Sequence, residues 1–272
     1  MRPAELFGTF PRTRQAAWQQ LSLFLEGWFG PRTPDDGVSD ALILAAERRL
    51  GLELPQAVCE AYRLFGNRPE ITAAVGLMVP IEDLAIQDGA LIVWFDPEDD
   101  TMWGIPLERL FDHDPPVRIG SAALRDPVVT GWCDTQERFS QLFVDRALHE
   151  AVESSMYGGR AAQASDTLAL VDRSFARLDF PDGVYPASPT RLYAAEGALI
   201  VVEGTDHVII GATTYEGYRR AIAPFPDLDW SAVTEEDAFH GPFHERLEAR
   251  QFVRALIDEF GEEFARRMRE ES

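Results

Sequence analysis

The chain has 272 residues, 46 of them acidic and 25 arginine or lysine, which leaves a formal charge of −21 at pH 7; none of the 25 is lysine. Hydrophobic residues make up 46% and aromatics 11%, which gives core enough for one large domain or two modest ones and argues against a disordered chain. A field of this sign repels nucleic acid and anionic lipid and speeds association with basic partners.

The acid excess is shared by the stretches before and after Ser155, so it belongs to the whole body and not to a tail. No stretch approaches the ~20 apolar residues that span a bilayer. The opening Met1-Arg2-Pro3-Ala4-Glu5 lacks the apolar run of a signal peptide, so a cytoplasmic protein is expected. Cys59 and Cys133 sit among apolar or aromatic neighbours and are expected to be buried free thiols, as in a reducing compartment.

In chain order, Trp18, Leu21, Leu25 and Trp28 recur at helical spacing and predict a helix over 12–29, closed by Gly30-Pro31. Ser39 or Asp40 caps a second helix whose apolar face carries Leu42, Ala45, Ala46 and Leu50, with Gly51 as its stop. Pro55 opens a third helix running to about Phe65. Ala90 to Phe95 and Thr101 to Pro106 read as a strand hairpin around Asp96-Pro97-Glu98-Asp99-Asp100. Asp114-Pro115-Pro116-Val117 is an extended passage. Phe139 to Val152 is a helix, and Tyr157-Gly158-Gly159 is the best internal boundary. Beyond it, Leu192 to Glu203 and His207 to Thr213 read as another strand pair, and a last helix covers about Phe243 to Met268. Gly89-Ala90-Leu91-Ile92-Val93 recurs as Gly197-Ala198-Leu199-Ile200-Val201, either a duplicated sheet unit or a coincidence between two buried strands.

The run Ala41 to Asn67, with Leu50-Gly51, Leu54-Pro55 and Gly66-Asn67, resembles the opening of the SUKH superfamily, the last pair being reversed from the usual order. Asp88-Gly89, Trp103, Asp114-Pro115-Pro116-Val117 and the helix from Phe139 to Ala151 continue the resemblance, which covers about residues 38–155. That superfamily includes a fungal cell-wall-assembly regulator and many bacterial immunity proteins. The resemblance implies an α+β fold, a helical pair packed on a curved, mainly antiparallel sheet. It also implies a non-enzymatic role in protein binding, most commonly neutralising a toxin. Residues 1–157 would then form the SUKH-like domain with its N-terminal helix. Residues 165–272 would form a C-terminal α+β half that echoes part of the sheet and is free to pack as one unit with the first.

Nothing in the chain matches a nucleophile elbow, a Walker A loop, paired CxxC motifs or a dinucleotide fingerprint. His240 and His244 stand at i,i+4 across Gly241-Pro242, which breaks the helix a chelating pair needs, so no metal and no cofactor is expected. His113, between Asp112 and Asp114, fits an exposed ion cluster better than a catalytic base. From Glu82 to Asp114 there are ten acidic residues and one basic one, Arg109, with Trp94, Phe95 and Trp103 interleaved. That segment reads either as the solvated face of a hairpin or as a docking edge for a basic partner such as a toxin domain. The candidate partner-binding residues are Asp96, Glu98, Asp99, Asp100, Trp103, Asp112 and Asp114. The alternatives are an intracellular regulatory or scaffolding adaptor and, further off, an unrecognised hydrolase.

Overall fold

The computed structural model describes residues 3–74, 76–96, 101–121, 130–163, 166–183, 189–205 and 207–232. The class is α+β: among the described residues there are eight α-helices and two antiparallel sheets.

A helical turn, α1 (Pro3–Leu6), precedes α2 (Arg14–Phe29), where the Thr13 hydroxyl accepts from the Ala16 N–H at 3.2 Å and caps the first turn. The expected stripe is buried, Trp18, Leu21, Phe24, Leu25 and Trp28 all facing the core. In α3 (Asp40–Leu50), Ser39 caps the start, and Gly51, at φ 69°, ends the helix in the left-handed region that an L side chain disfavours. The inward stripe of α3 is Ile43 and Ala46; Leu42, expected on that face, is half exposed. Pro55 precedes α4 (Gln56–Phe65), which buries Ala57, Val58, Ala61, Tyr62 and Phe65. The turn α5 (Pro69–Thr72) follows.

The first sheet comprises β1 (Leu77–Met78), β2 (Ala85–Gln87), β3 (Ala90–Asp96), β4 (Thr101–Pro106), β5 (Pro116–Ser121) and β6 (Thr130–Arg138). Its order is β1-β3-β4-β5-β6, with β2 also paired to β3. Asp88 and Gly89 both take positive φ, 45° and 77°, which is the two-residue turn whose twist suits a tight hairpin. A bulge between Ile92 and Trp94 turns Val93 and Trp94 both into the core, which strict alternation forbids.

Helix α6 (Phe139–Glu153) is the centre of the molecule. Phe143 meets Trp18 of α2 (ring centroids 5.6 Å apart), Phe65 of α4 (5.6 Å) and Trp94 of β3 (5.9 Å). The first sheet, α2, α4 and α5 pack around one side of α6, and the second sheet packs against its other side. That sheet holds β7 (Tyr157–Ala162), β8 (Ala176–Arg177), β9 (Thr190–Ala195), β10 (Ala198–Glu203), β11 (His207–Ala212) and β12 (Ser231–Ala232), in the order β12-β7-β11-β10-β9-β8. Its far face is covered by α7 (Thr167–Ser174) and α8 (Tyr215–Ile222), through Val171, Tyr218 and Ala221. The layers therefore run sheet, helices, sheet, helices.

Several expectations change here. The boundary expected at Tyr157-Gly158-Gly159 is a strand inside the second sheet. The single strand expected from Leu192 to Glu203 is two strands joined by Glu196-Gly197. Leu192, Leu199, Val201 and Ile209 belong to the same apolar cluster as α2, α4 and α6, so one core serves both halves. The sequence echo has a structural counterpart: Leu91 and Val93 of β3 and Leu199 and Val201 of β10 face the same helical layer from opposite sides. After the paired third strands β4 and β11 the chain diverges, into β5 in one case and α8 in the other. Both cysteines are free, Cys59 buried as expected but Cys133 exposed on β6. No helix among the described residues is long and apolar enough to cross a membrane. His240, His244 and the helix expected over 243–268 lie outside the described residues.

Candidate functional site

The acid-rich segment divides into parts with different physical roles. Asp96, at the end of β3, is 5% exposed, and Trp103 on β4 is 2% exposed and faces the core. Neither is a surface group, so neither is placed to meet a partner. Glu98, Asp99 and Asp100 lie outside the described residues. Asp112 is partly exposed and is held by Arg109 at 2.5 Å. Asp114 is spent inside the fold: its carboxylate accepts from the Ser140 N–H at 3.0 Å and from the Ser140 hydroxyl at 2.7 Å, capping α6 from another segment. Asp114→Ala should therefore lower stability by about 0.5–2 kcal/mol, the usual cost of a lost cap, read as a shift in urea midpoint. A charge reversal at Asp114 would weaken the fold as well as any docking.

Between the end of β4 and the start of β5, residues 107–114 form a loop pinned at three places. The Leu107 N–H donates to the Gly89 carbonyl in the β2–β3 turn (2.9 Å), and the Ala57 N–H at the start of α4 donates to the His113 carbonyl (2.9 Å). The Arg138 guanidinium donates to the Asp114 carbonyl at 3.1 Å. Leu110 packs on the core, while Phe111, one residue on, is 80% exposed beside the Arg109–Asp112 pair and exposed His113. A tethered loop has little freedom to fold that ring inward, so the ring stays in water at a hydrophobic cost.

A second cluster lies where the first sheet meets the second half. A cavity of about 40 Å³ is lined by Trp103 of β4, Thr135 and Glu137 of β6, Leu142, Asp145 and Arg146 of α6, and Pro181-Asp182-Gly183. The buried Arg146 guanidinium lies 5.4 Å above the Trp103 ring and donates to Asp145 at 2.8 Å. His149, one turn along α6, has its Nε2 3.7 Å from Asp145. Burial, aided by neighbouring Arg146 and opposed by Asp145, pulls the His149 imidazole down to about 4, so it is neutral at pH 7. Burial, reinforced by Asp145 and opposed by Arg146, pushes the Glu137 carboxyl up to about 8. Shifts of this kind mark functional sites and structural ion clusters alike. The cavity is far below the roughly 300–1,000 Å³ of pockets that take small molecules, and it suits a few waters. Among the described residues no group of three or more histidine, cysteine or carboxylate side chains is arranged to hold a metal.

Phe111, Glu137, Asp145, Arg146 and His149 are not among the residues that the sequence singles out. The Asp145–His149 spacing of four was a readable signal, because it stacks the two on one helix face. Glu137 had no such signal, since its surroundings come from β4, α6 and a segment more than forty residues away. No family model matches the chain, and the searches of curated proteins and of solved structures returned no significant match.

Proposed function

We propose that this chain is a protein-binding module of the immunity-protein kind, acting in the cytoplasm on a basic protein partner that docks on the 107–114 loop. The observation that carries the reading is Phe111, an aromatic ring 80% exposed on a loop tethered to the β2–β3 turn, α4, the end of β6 and the start of α6. Binding hot spots are typically pre-positioned aromatics, and a ring that needs no ordering on association loses little entropy when it is covered. Leu107 of the same loop is also exposed, and Asp112, paired with Arg109, follows Phe111 in the chain. The charge of −21 would draw a cationic toxin domain toward this surface and speed the encounter. The ordered resemblance over residues 38–155 supports the same class, and the helical pair α3–α4 beside an antiparallel sheet agrees with the architecture it implies.

The test is co-expression with the products of neighbouring reading frames, followed by pull-down and protection assays. Phe111→Ala should weaken capture of the recovered partner by a factor of ten or more while leaving thermal unfolding unchanged. An unaltered affinity would remove the loop from the interface. An association rate insensitive to salt would remove the acidic surface from the encounter.

A further inference from the structure

Helix α3 keeps one side in the core, where Ile43 and Ala46 are buried, and turns the other to water. Outward helix positions are ordinarily polar. On α3 they include Ala41, Leu42, Leu44 and Ala45, all exposed, with Leu42 at 51% and Leu44 at 50%. A turn of about 100° per residue sets Ala41 and Ala45 on the crest of that side, between Leu44 on one flank and Leu42 on the other. A lone exposed leucine needs no explanation, but two leucines flanking two alanines form a continuous apolar strip.

Charge is ordered along the same strip. Asp40 stands at the N-terminal end of α3, and Arg48 and Arg49 stand at the C-terminal end. Arg49 is anchored, donating to the Leu84 carbonyl at 2.8 Å, while Arg48 is exposed. Asp40 is held by Arg63 of α4, yet its side chain remains 71% exposed. The exposed charge of α3 is therefore one acid against two arginines, in a chain whose net charge is −21. A second acidic body is repelled by most of such a surface, and least by a face that adds no negative charge at the contact.

We propose that α3 is a self-association face whose occupant is α3 of a second copy, packed antiparallel about a two-fold axis. The axis falls between Leu44 and Ala45, so that the Asp40 and Leu44 flank of one helix meets the same flank of the other run in reverse. Leu44 then packs on its own symmetry mate, and Asp40 lies opposite the Arg48 end of the second helix. A parallel pair would instead set Asp40 on Asp40 and Arg48 on Arg48. The small crest residues let the axes approach to the short end of the usual range, about 8 Å, and the leucines close over both sides. At 11 residues α3 is only about 16 Å long. The contact therefore buries less than the roughly 1,200 Å² of a standard interface, and the dimer is weak and reversible.

Sedimentation velocity of the full chain over rising concentration, at about 0.15 M salt to screen the two acidic bodies, should show a monomer–dimer equilibrium. Leu44→Glu puts two carboxylates together on the two-fold and should weaken dimerisation tenfold or more. Thermal unfolding should not change, because that side chain is already half in water. Arg48→Glu should weaken the dimer as well, and adding Asp40→Arg should restore it, which only the antiparallel order allows. A chain that stays monomeric to its solubility limit overturns the proposal, and so does dimerisation indifferent to Leu44→Glu. No recovery in the charge-swapped double variant overturns the antiparallel packing. If the chain stays monomeric and Leu44→Glu instead loses capture of a partner protein, the face belongs to that partner and not to a second copy.

Discussion

Arg146→Ala is expected to cost about 3–5 kcal/mol, the range for removing one partner of a buried ion pair. The loss has two sources. The guanidinium lies against the Trp103 ring, so truncation leaves a void in the wall between α6 and β4. Asp145 would also keep its charge without the two donated bonds that now balance it. Lysine at this position carries the charge but not the planar fork, so Arg146→Lys should recover only part of the stability. Adding Asp145→Ala to Arg146→Ala removes the stranded carboxylate and should return some of the loss. Urea unfolding of the two single variants and the double variant checks this cycle. A double variant no more stable than Arg146→Ala alone would show that packing, and not charge, dominates the site.

Gly211→Ala is the second large effect, about 1–3 kcal/mol or more as an overpacking change. A Cβ on Gly211 of β11 would stand 2.4 Å from the Val152 carbonyl oxygen and 2.6 Å from the Ser155 hydroxyl, where α6 ends. Two of the three nearest atoms are backbone, which a rotamer change does not move aside. Ser155 is also held by the Trp28 indole N–H, which donates to its hydroxyl at 3.2 Å, so pushing it away disturbs α2 as well. Gly89→Ala is the control: no atom lies within 4 Å of its Cβ, and its φ of 77° carries only the left-handed penalty of about 1–2 kcal/mol. Thermal unfolding should rank Gly211→Ala at least as destabilising as Gly89→Ala. The further prediction is that only the Gly211 change loosens the second sheet from α6, seen as faster exchange at the β11 amides.

What the sequence made legible was what neighbouring residues decide. The periodic stripe of α2, the Ser39 and Gly51 ends of α3, Pro55 before α4 and the β3–β4 hairpin are each written within a few positions, and each stands where it was expected. The misses share a cause. Leu192 to Glu203 reads as one apolar run, because the Glu196-Gly197 turn interrupts it with two residues and β10 is buried on both faces. Tyr157-Gly158-Gly159 looks like a hinge, but Gly158 lies close to the Ile210 carbonyl oxygen, with no room for a side chain there. Phe111 was hidden among acids and prolines that mark a loop without saying which ring faces out. Asp96 and Trp103 were taken with their charged neighbours, whereas their depth is set by pairing across the sheet. The Glu137–Arg146 cluster depends on contacts distant in sequence, which composition and spacing do not encode.

The shared helical layer has a consequence for synthesis as well as for stability. Helix α6 leaves the ribosome well before the strands that cover its second face, and at ordinary translation rates the intervening ~50 residues take roughly 3–10 s. During that interval the wall that will receive Leu199, Val201 and Ile209 is bare. The nascent chain is then a natural client for a holdase, and the completion of β10 and β11 is the moment at which it stops being one.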